Sequence, residues 1–196
     1  MRTAYFDCYS GISGNMILGA LLDLGVDIEI LNEGLRSLGL DSFEIAVTRQ
    51  QKNDISAVYA DVMTSENGDS RTISDIVSIV DRSALDEDIK IGAKRIFYRL
   101  AEAEAKVHGR HEDQVRLHEV GATDTIIDVV GSLVGLKALG VGEIGCSPLN
   151  LGSGTVLCGH GSLPVPAPIT AELVKGVPVY SSGLVGELTT PTGAAI

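Results

Sequence analysis

The sequence predicts an α/β fold, with a mixed sheet covered by helices and an early order of β-α-α-β-β. Three observations lead there. Short alternating apolar stretches stand at residues 3–7, 43–47 and 54–63, and segments with apolar residues at helical spacing cover 85–108 and 122–139. In addition, 44% of the 196 residues are apolar, enough to bury a core without metal or disulfide staples.

Residues 3–7 form the first strand, and GISGNMILGALLDLG then changes to an apolar helical pattern. Asp27 caps a second helix that continues through Leu38, and FEIAV and DISAVYADVM supply two strands, the second ending at the turn SENGDS. A short helix follows at 72–80. In the segment 85–108, Ile89, Ala93, Ile96, Leu100 and Ala103 recur at helical spacing before Gly109. At 1.5 Å per residue this helix runs roughly 35 Å. Another helix is expected at 122–139, then a strand near 143–147. From Pro148 the composition turns to glycine and proline before a short helix near 169–175. The expected organisation is an α/β core at 1–147, with 148–196 a Gly/Pro-rich segment and short helix of the same domain.

The 26 acidic against 15 basic residues give a net charge of -11, which repels a phosphate backbone and argues against nucleic acid as a partner. Cys8, Cys146 and Cys158 are widely spaced without a CxxC, and the first residues do not read as a signal peptide, so a cytoplasmic chain with reduced thiols is expected. The apolar run 126–142 contains Asp128 and Lys137 and is too short between charges to span a membrane. A soluble protein is the expectation.

Two stretches concentrate residues that carry chemistry. In DCYSGISGNM, residues 7–16, a strand leads through glycines into a helix, the layout of an anion site in which helix N–H groups face a phosphate. It is neither a Walker A loop nor GxGxxG. Gly11 and Gly14 equally permit a tight turn with Ser13 as a cap, and Asp7 at the strand end either binds a metal or satisfies the turn. In LHEVGATDTIIDVV, residues 117–130, Asp124 and Asp128 share one helix face among apolar neighbours, where carboxylates need a proton, a cation or hydrogen-bond donors. His118 and Glu119 would complete a mixed N and O set suited to nickel, zinc or another divalent ion. The alternative is an N-cap at Asp124, an exposed Asp128 and a core histidine. HExxH is absent.

His108 reads as a helix C-terminal residue that favours the dipole, and His111 as solvated. His160 lies in CGHG with Cys158 two residues before it, a pair that could bind a soft metal or support thiol chemistry but does not by itself define a site. GELTTPTGAAI offers Thr190 and Thr192 beside Gly193 as a flexible polar wrap for a phosphate or carboxylate, or as an ordinary turn.

The ordered set DCYSGISGNM, GALLDLG, AEAEAKVHG, LHEVGATDTIIDVVG, HGSLPVPAP and GELTTPTGAA resembles the N-terminal part of the family of nickel insertion proteins for the nickel pincer cofactor. The resemblance covers nearly the whole chain. It implies a nickel chelatase of the lyase class that installs Ni(II) in pyridinium-3,5-bisthiocarboxylic acid mononucleotide. It further implies CTP hydrolysis with Mn(II) or Mg(II) in a C-terminal portion beyond the TPTGAA run where this chain stops. The implied partners are that mononucleotide and the CTP-binding portion or subunit; a homo-oligomer stays open, and from charge and hydropathy no nucleic acid and no membrane is expected as a partner.

Placed on this sequence, the expected metal ligands are Asp7, His118, Glu119, Asp124, Asp128 and His160. Ser10, Gly11, Ser13, Gly14, Asn15, Thr190 and Thr192 are expected at the mononucleotide, and His118, Glu119 and Cys158 at the chemistry. Three departures bear on this. Asn15 stands where the family writes aspartate in GISGDM, Arg116 where it writes the first histidine of HFHEVG, and Ser70 where it writes the histidine of an HR pair. The family's variable histidine-rich loop is missing as well, and fewer imidazoles weaken nickel storage. The rival readings are a non-enzymatic nickel or substrate carrier that acts with a separate C-terminal partner, and a metal-independent phosphosugar or nucleotide enzyme.

Overall fold

The computed structural model describes residues 1–40, 43–64, 71–111, 115–117 and 122–196. The predicted turn at 65–70 and the candidate ligands His118 and Glu119 lie outside the described residues. Strand β1 (Arg2–Phe6) leads into α1 (Gly14–Asp23) and α2 (Ile28–Arg36), then the hairpin of β2 (Phe43–Lys52) and β3 (Ile55–Thr64), which is the predicted β-α-α-β-β order. Asp27 caps α2 as expected, its side chain accepting a hydrogen bond from the Glu29 N–H.

Next come β4 (Arg71–Thr72), α3 (Ile73–Arg82), α4 (Glu87–His108), β5 (Arg116–Leu117), α5 (Thr123–Ala138) and β6 (Val141–Cys146). Thr72 and Asp75 form a reciprocal capping box at the start of α3. Helix α4 buries each of the predicted face residues Ile89, Ala93, Ile96, Leu100 and Ala103, and ends at Gly109 in the left-handed conformation that lets its N–H reach back to the last turn.

The glycine- and proline-rich segment holds more structure than its composition suggests. It forms β7 (Leu149–Asn150), β8 (Gly152–Ser153), β9 (Thr155–Cys158), β10 (Gly161–Pro164), α6 (Pro168–Leu173), β11 (Val179–Tyr180), β12 (Gly186–Glu187) and α7 (Pro191–Ala195). The β structure is divided into pairs: β1 with β6 and β11 with β7 run parallel, while β2 with β3, β4 with β5, β9 with β10 and β8 with β12 run antiparallel.

Helix α5 lies at the centre, apolar around most of its circumference, and the main core gathers Leu18 and Leu21 of α1, Leu31 and Leu35 of α2, Phe97 and Leu100 of α4, and Ile126, Ile127, Val129 and Val130 of α5. Ile169, Leu173 and Ala195 of the C-terminal segment join that same core. Among the described residues no helix is long and apolar enough to cross a membrane.

Candidate functional site

The packing of α1 on α5 sets the geometry of the site. A Cβ placed on Gly131 would stand 2.9 Å from Leu18 Cδ2, and one on Gly135 would stand 2.9 Å from Leu21 Cδ1. Two glycines one turn apart thus form a shallow trough on α5 into which the α1 leucines settle. One turn earlier, a Cβ on Gly14 would lie 2.2 Å from Asp128 Oδ2. The contacts advance together along both helices, so α1 and α5 run parallel and open their first turns at the same end.

A second layer of close contacts closes that end. Gly11, at φ +81, brings its backbone so near Leu188 that a Cβ would sit 1.9 Å from the Leu188 carbonyl oxygen. The Ile12 N–H donates to Leu188 O at 3.0 Å, and the Thr190 N–H donates to Ile12 O at 3.1 Å. Gly193 completes the interlock, since a Cβ there would be 2.2 Å from Ile12 O. Much of the bare backbone in DCYSGISGNM therefore admits the chain's last segment rather than forming an independent phosphate loop.

The result is a polar cleft of about 310 Å³. Ser13, Gly14 and Asn15 form one wall, Asp124, Thr125 and Asp128 another, Thr190 and Thr192 a third, and Asp61 of β3 a fourth. Among the described residues no side chain caps either helix start: Ser13 Oγ donates instead to Asn15 Oδ1 at 2.5 Å, and Ala122, not Asp124, is the N-cap of α5. Asp124 sits in the first turn of α5, where the helix dipole favours its charge, and its Oδ1 accepts from the Thr125 N–H at 2.7 Å.

Asp128 is in a different position. Its Oδ1 is buried with no hydrogen-bond partner among the described residues. Burial, and secondarily the charge of Asp124, raises its carboxyl from 3.8 to about 7. The exposed Asp128 of the alternative sequence reading is thereby replaced by a carboxyl pressed against bare helix backbone, chemically poised to take a proton or a cation.

Seven of the predicted residues converge at this cleft: Ser13, Gly14, Asn15, Asp124, Asp128, Thr190 and Thr192. Others do not. Asp7 and Gly11 line a separate, mostly apolar groove of about 550 Å³ between β1 and α1, and Ser10 is exposed on the turn above it. Cys158 and His160 line a third cleft of about 240 Å³ together with His108. Thr190 spends its hydroxyl on the α7 cap, accepting from the Gly193 N–H at 3.2 Å. Among the described residues no three His, Cys, Asp or Glu side chains stand gathered as a complete metal site.

Sequence reasoning missed Asp61 and Thr125. Asp61 was visible as a charged position inside an alternating strand, but which helix start that strand faces is set by long-range packing. Cys8, Cys146 and Cys158 are all free thiols; burial, and secondarily Cys146, pushes the Cys8 thiol up, which leaves it a packing residue rather than a nucleophile.

Comparison with known proteins follows the same span. A family described as nickel insertion protein matches residues 4–196. A putative nickel insertion protein of Dictyoglomus thermophilum is 52% identical over all of this chain and 51% of its own length. The pyridinium-3,5-bisthiocarboxylic acid mononucleotide nickel insertion protein of a Desulfitobacterium hafniense strain is 47% identical over all of this chain and 49% of its own. The chain thus spans about half the length of the curated relatives it matches. No solved structure matches it.

Proposed function

The chain belongs to the nickel insertion protein family, and from that premise we propose that its polar cleft holds Ni(II) and pyridinium-3,5-bisthiocarboxylic acid mononucleotide while the metal passes into the organic ring. The observation that supports this most directly is half-buried Asp128, whose Oδ1 is buried without a hydrogen-bond partner among the described residues, in a cleft shared with Asp124 and Asp61. A divalent cation relieves the repulsion among these groups. Oxygen donors also hold nickel less firmly than thiolates would, as a donor site requires.

Charge suggests an order of events. Three carboxylates oppose the approach of a phosphate, so Ni(II) enters first and the mononucleotide second, its phosphate directed to the start of α1 at residues 13–15. Nickel then exchanges its oxygen ligands for two thiocarboxylate sulfurs and one ring carbon. The proton leaving that carbon passes to a nearby base, a role that suits Asp128 with its carboxyl near 7. His118 and Glu119 remain assigned as further ligands or bases from their place in LHEVG. Asp7 and Ser10 are given no part in this cleft.

In the full-length family the reaction is that of a chelatase of the lyase class in the cytoplasm. CTP, with Mn(II) or Mg(II), belongs to the C-terminal portion, and no residue of this chain is assigned to it. The alternative is a nickel or substrate carrier that acts with a separate C-terminal partner.

Native mass spectrometry after incubation with limiting Ni(II), with and without the mononucleotide, tests the proposal. Nickel held at the cleft and discharged by the mononucleotide is expected, with nickel stoichiometry lowered by one in Asp124→Asn/Asp128→Asn. Unchanged stoichiometry and insertion in the double variant would remove the cleft from the mechanism. Insertion that appears only when the C-terminal half is added favours the carrier.

A further inference from the structure

The third cleft contains a pair of imidazoles that the preceding proposal does not use. His108 ends α4, and His160 sits in the turn between β9 and β10, so 52 positions of sequence separate two rings whose centroids stand 5.1 Å apart at an interplanar angle of 43°. Two imidazoles bound to one metal at about 2.1 Å through nitrogen place their centroids roughly 4.6 to 6.5 Å apart for bond angles between about 90° and 180°. The observed separation falls inside that range.

Beneath His108 lies Glu104, one turn earlier on α4 and fully buried, with Oε2 3.1 Å from His108 Nε2. The contact has the distance of an ion pair without the geometry of a hydrogen bond, so Glu104 holds the ring in place from below rather than fixing its tautomer. A histidine serving only to cap a helix dipole requires neither a buried acid below it nor a second imidazole beside it. Cys158 lines the same cleft of about 240 Å³, its thiol now donating to Gly161 O at 3.5 Å.

This cleft adjoins the carboxylate cleft, since Pro191 lines both. We propose that His108 and His160 form a second Ni(II) site that loads the carboxylate cleft across Pro191, with Glu104 as the positioning residue for His108 and Cys158 as a reserve soft donor. Two protein nitrogens leave most of the coordination sphere to water, which keeps the ion exchangeable. The loading role rests on the nickel reading of the carboxylate cleft, whereas the existence of the imidazole site does not.

The test adds Ni(II) alone, below one equivalent, to the full chain and follows the histidine ring proton resonances, which the paramagnetic ion broadens. The His108 and His160 resonances broaden together while that of His111 stays sharp, and His108→Gln/His160→Gln lowers nickel stoichiometry by one. Glu104→Gln weakens binding roughly tenfold with both histidines intact.

Resonances of His108 and His160 that stay sharp to one equivalent, or undiminished stoichiometry in the double variant, would overturn the site. Asp124→Asn/Asp128→Asn keeps the broadening, so failure of the carboxylate reading is recognised separately. For the loading role, His108→Gln/His160→Gln slows insertion roughly tenfold at limiting Ni(II) and recovers at saturating Ni(II); an unchanged rate at limiting metal would refute it.

Discussion

Asp128→Asn isolates the free energy of burying one carboxyl at the cleft while keeping its shape. Burial and Asp124 hold that carboxyl at about 7 against an ordinary 3.8, so between those values the folded chain keeps a proton that the unfolded chain has released. Stability of the metal-free protein therefore falls as pH rises through this window, and the contribution is flat below and above it. At about 1.4 kcal/mol per pH unit, the full span is worth roughly 4 kcal/mol, an order-of-magnitude figure.

Asparagine does not titrate, so the variant escapes that loss. Thermal melting in chelator from pH 4 to pH 8 is the assay. The two proteins should melt alike near pH 4, and the variant should melt about 10 °C higher at pH 8. Adding Ni(II) at pH 8 should raise the melting temperature of the native chain more than that of the variant. Parallel melting curves across the range would show that Asp128 is neither desolvated nor coupled to Asp124, and the central argument for a cation would fall.

Further outcomes follow from neighbouring contacts. Gly14→Ala puts a methyl group 2.2 Å from Asp128 Oδ2 and should destabilise by about 1–3 kcal/mol while abolishing nickel retention at the carboxylate cleft, read by melting and metal content. Asp61→Asn, at an exposed position on the cleft, should weaken Ni(II) binding only about two- to fivefold by calorimetry and leave the melting temperature unchanged. Thr72→Ala removes the hydroxyl of the α3 capping box and should cost about 1 kcal/mol in denaturant titration without altering nickel binding.

The helices were legible because their periodicity is local: the five predicted core positions of α4 are all buried, and Asp27 caps α2. The pairing of β1 with β6 was not, because its partners are about 140 residues apart and a two-stranded parallel ladder leaves little trace in sequence. At the site, the Asp124 and Asp128 spacing announced two carboxylates on one apolar helix. What it withheld was that Gly14 is the surface against which Asp128 rests.

The purpose of Gly11 was half visible, as a turn glycine, while its contact with Leu188 depends on a segment 177 positions away. Glu104 was hidden differently. Nothing local in AEAEAKVHG singles it out, and only the packing of α4 reveals it as fully buried beneath His108.

The trough that Gly131 and Gly135 make for Leu18 and Leu21 also gauges the cleft. Counted along α5 at 1.5 Å per residue, the two glycines lie about 4.5 and 10 Å below Asp128. A methyl group added at either would wedge α1 outward as a rigid lever and widen the gap between Gly14 and Asp128. The width of the cleft is thus set in the hydrocarbon interior, by leucines positioned beneath the polar surface.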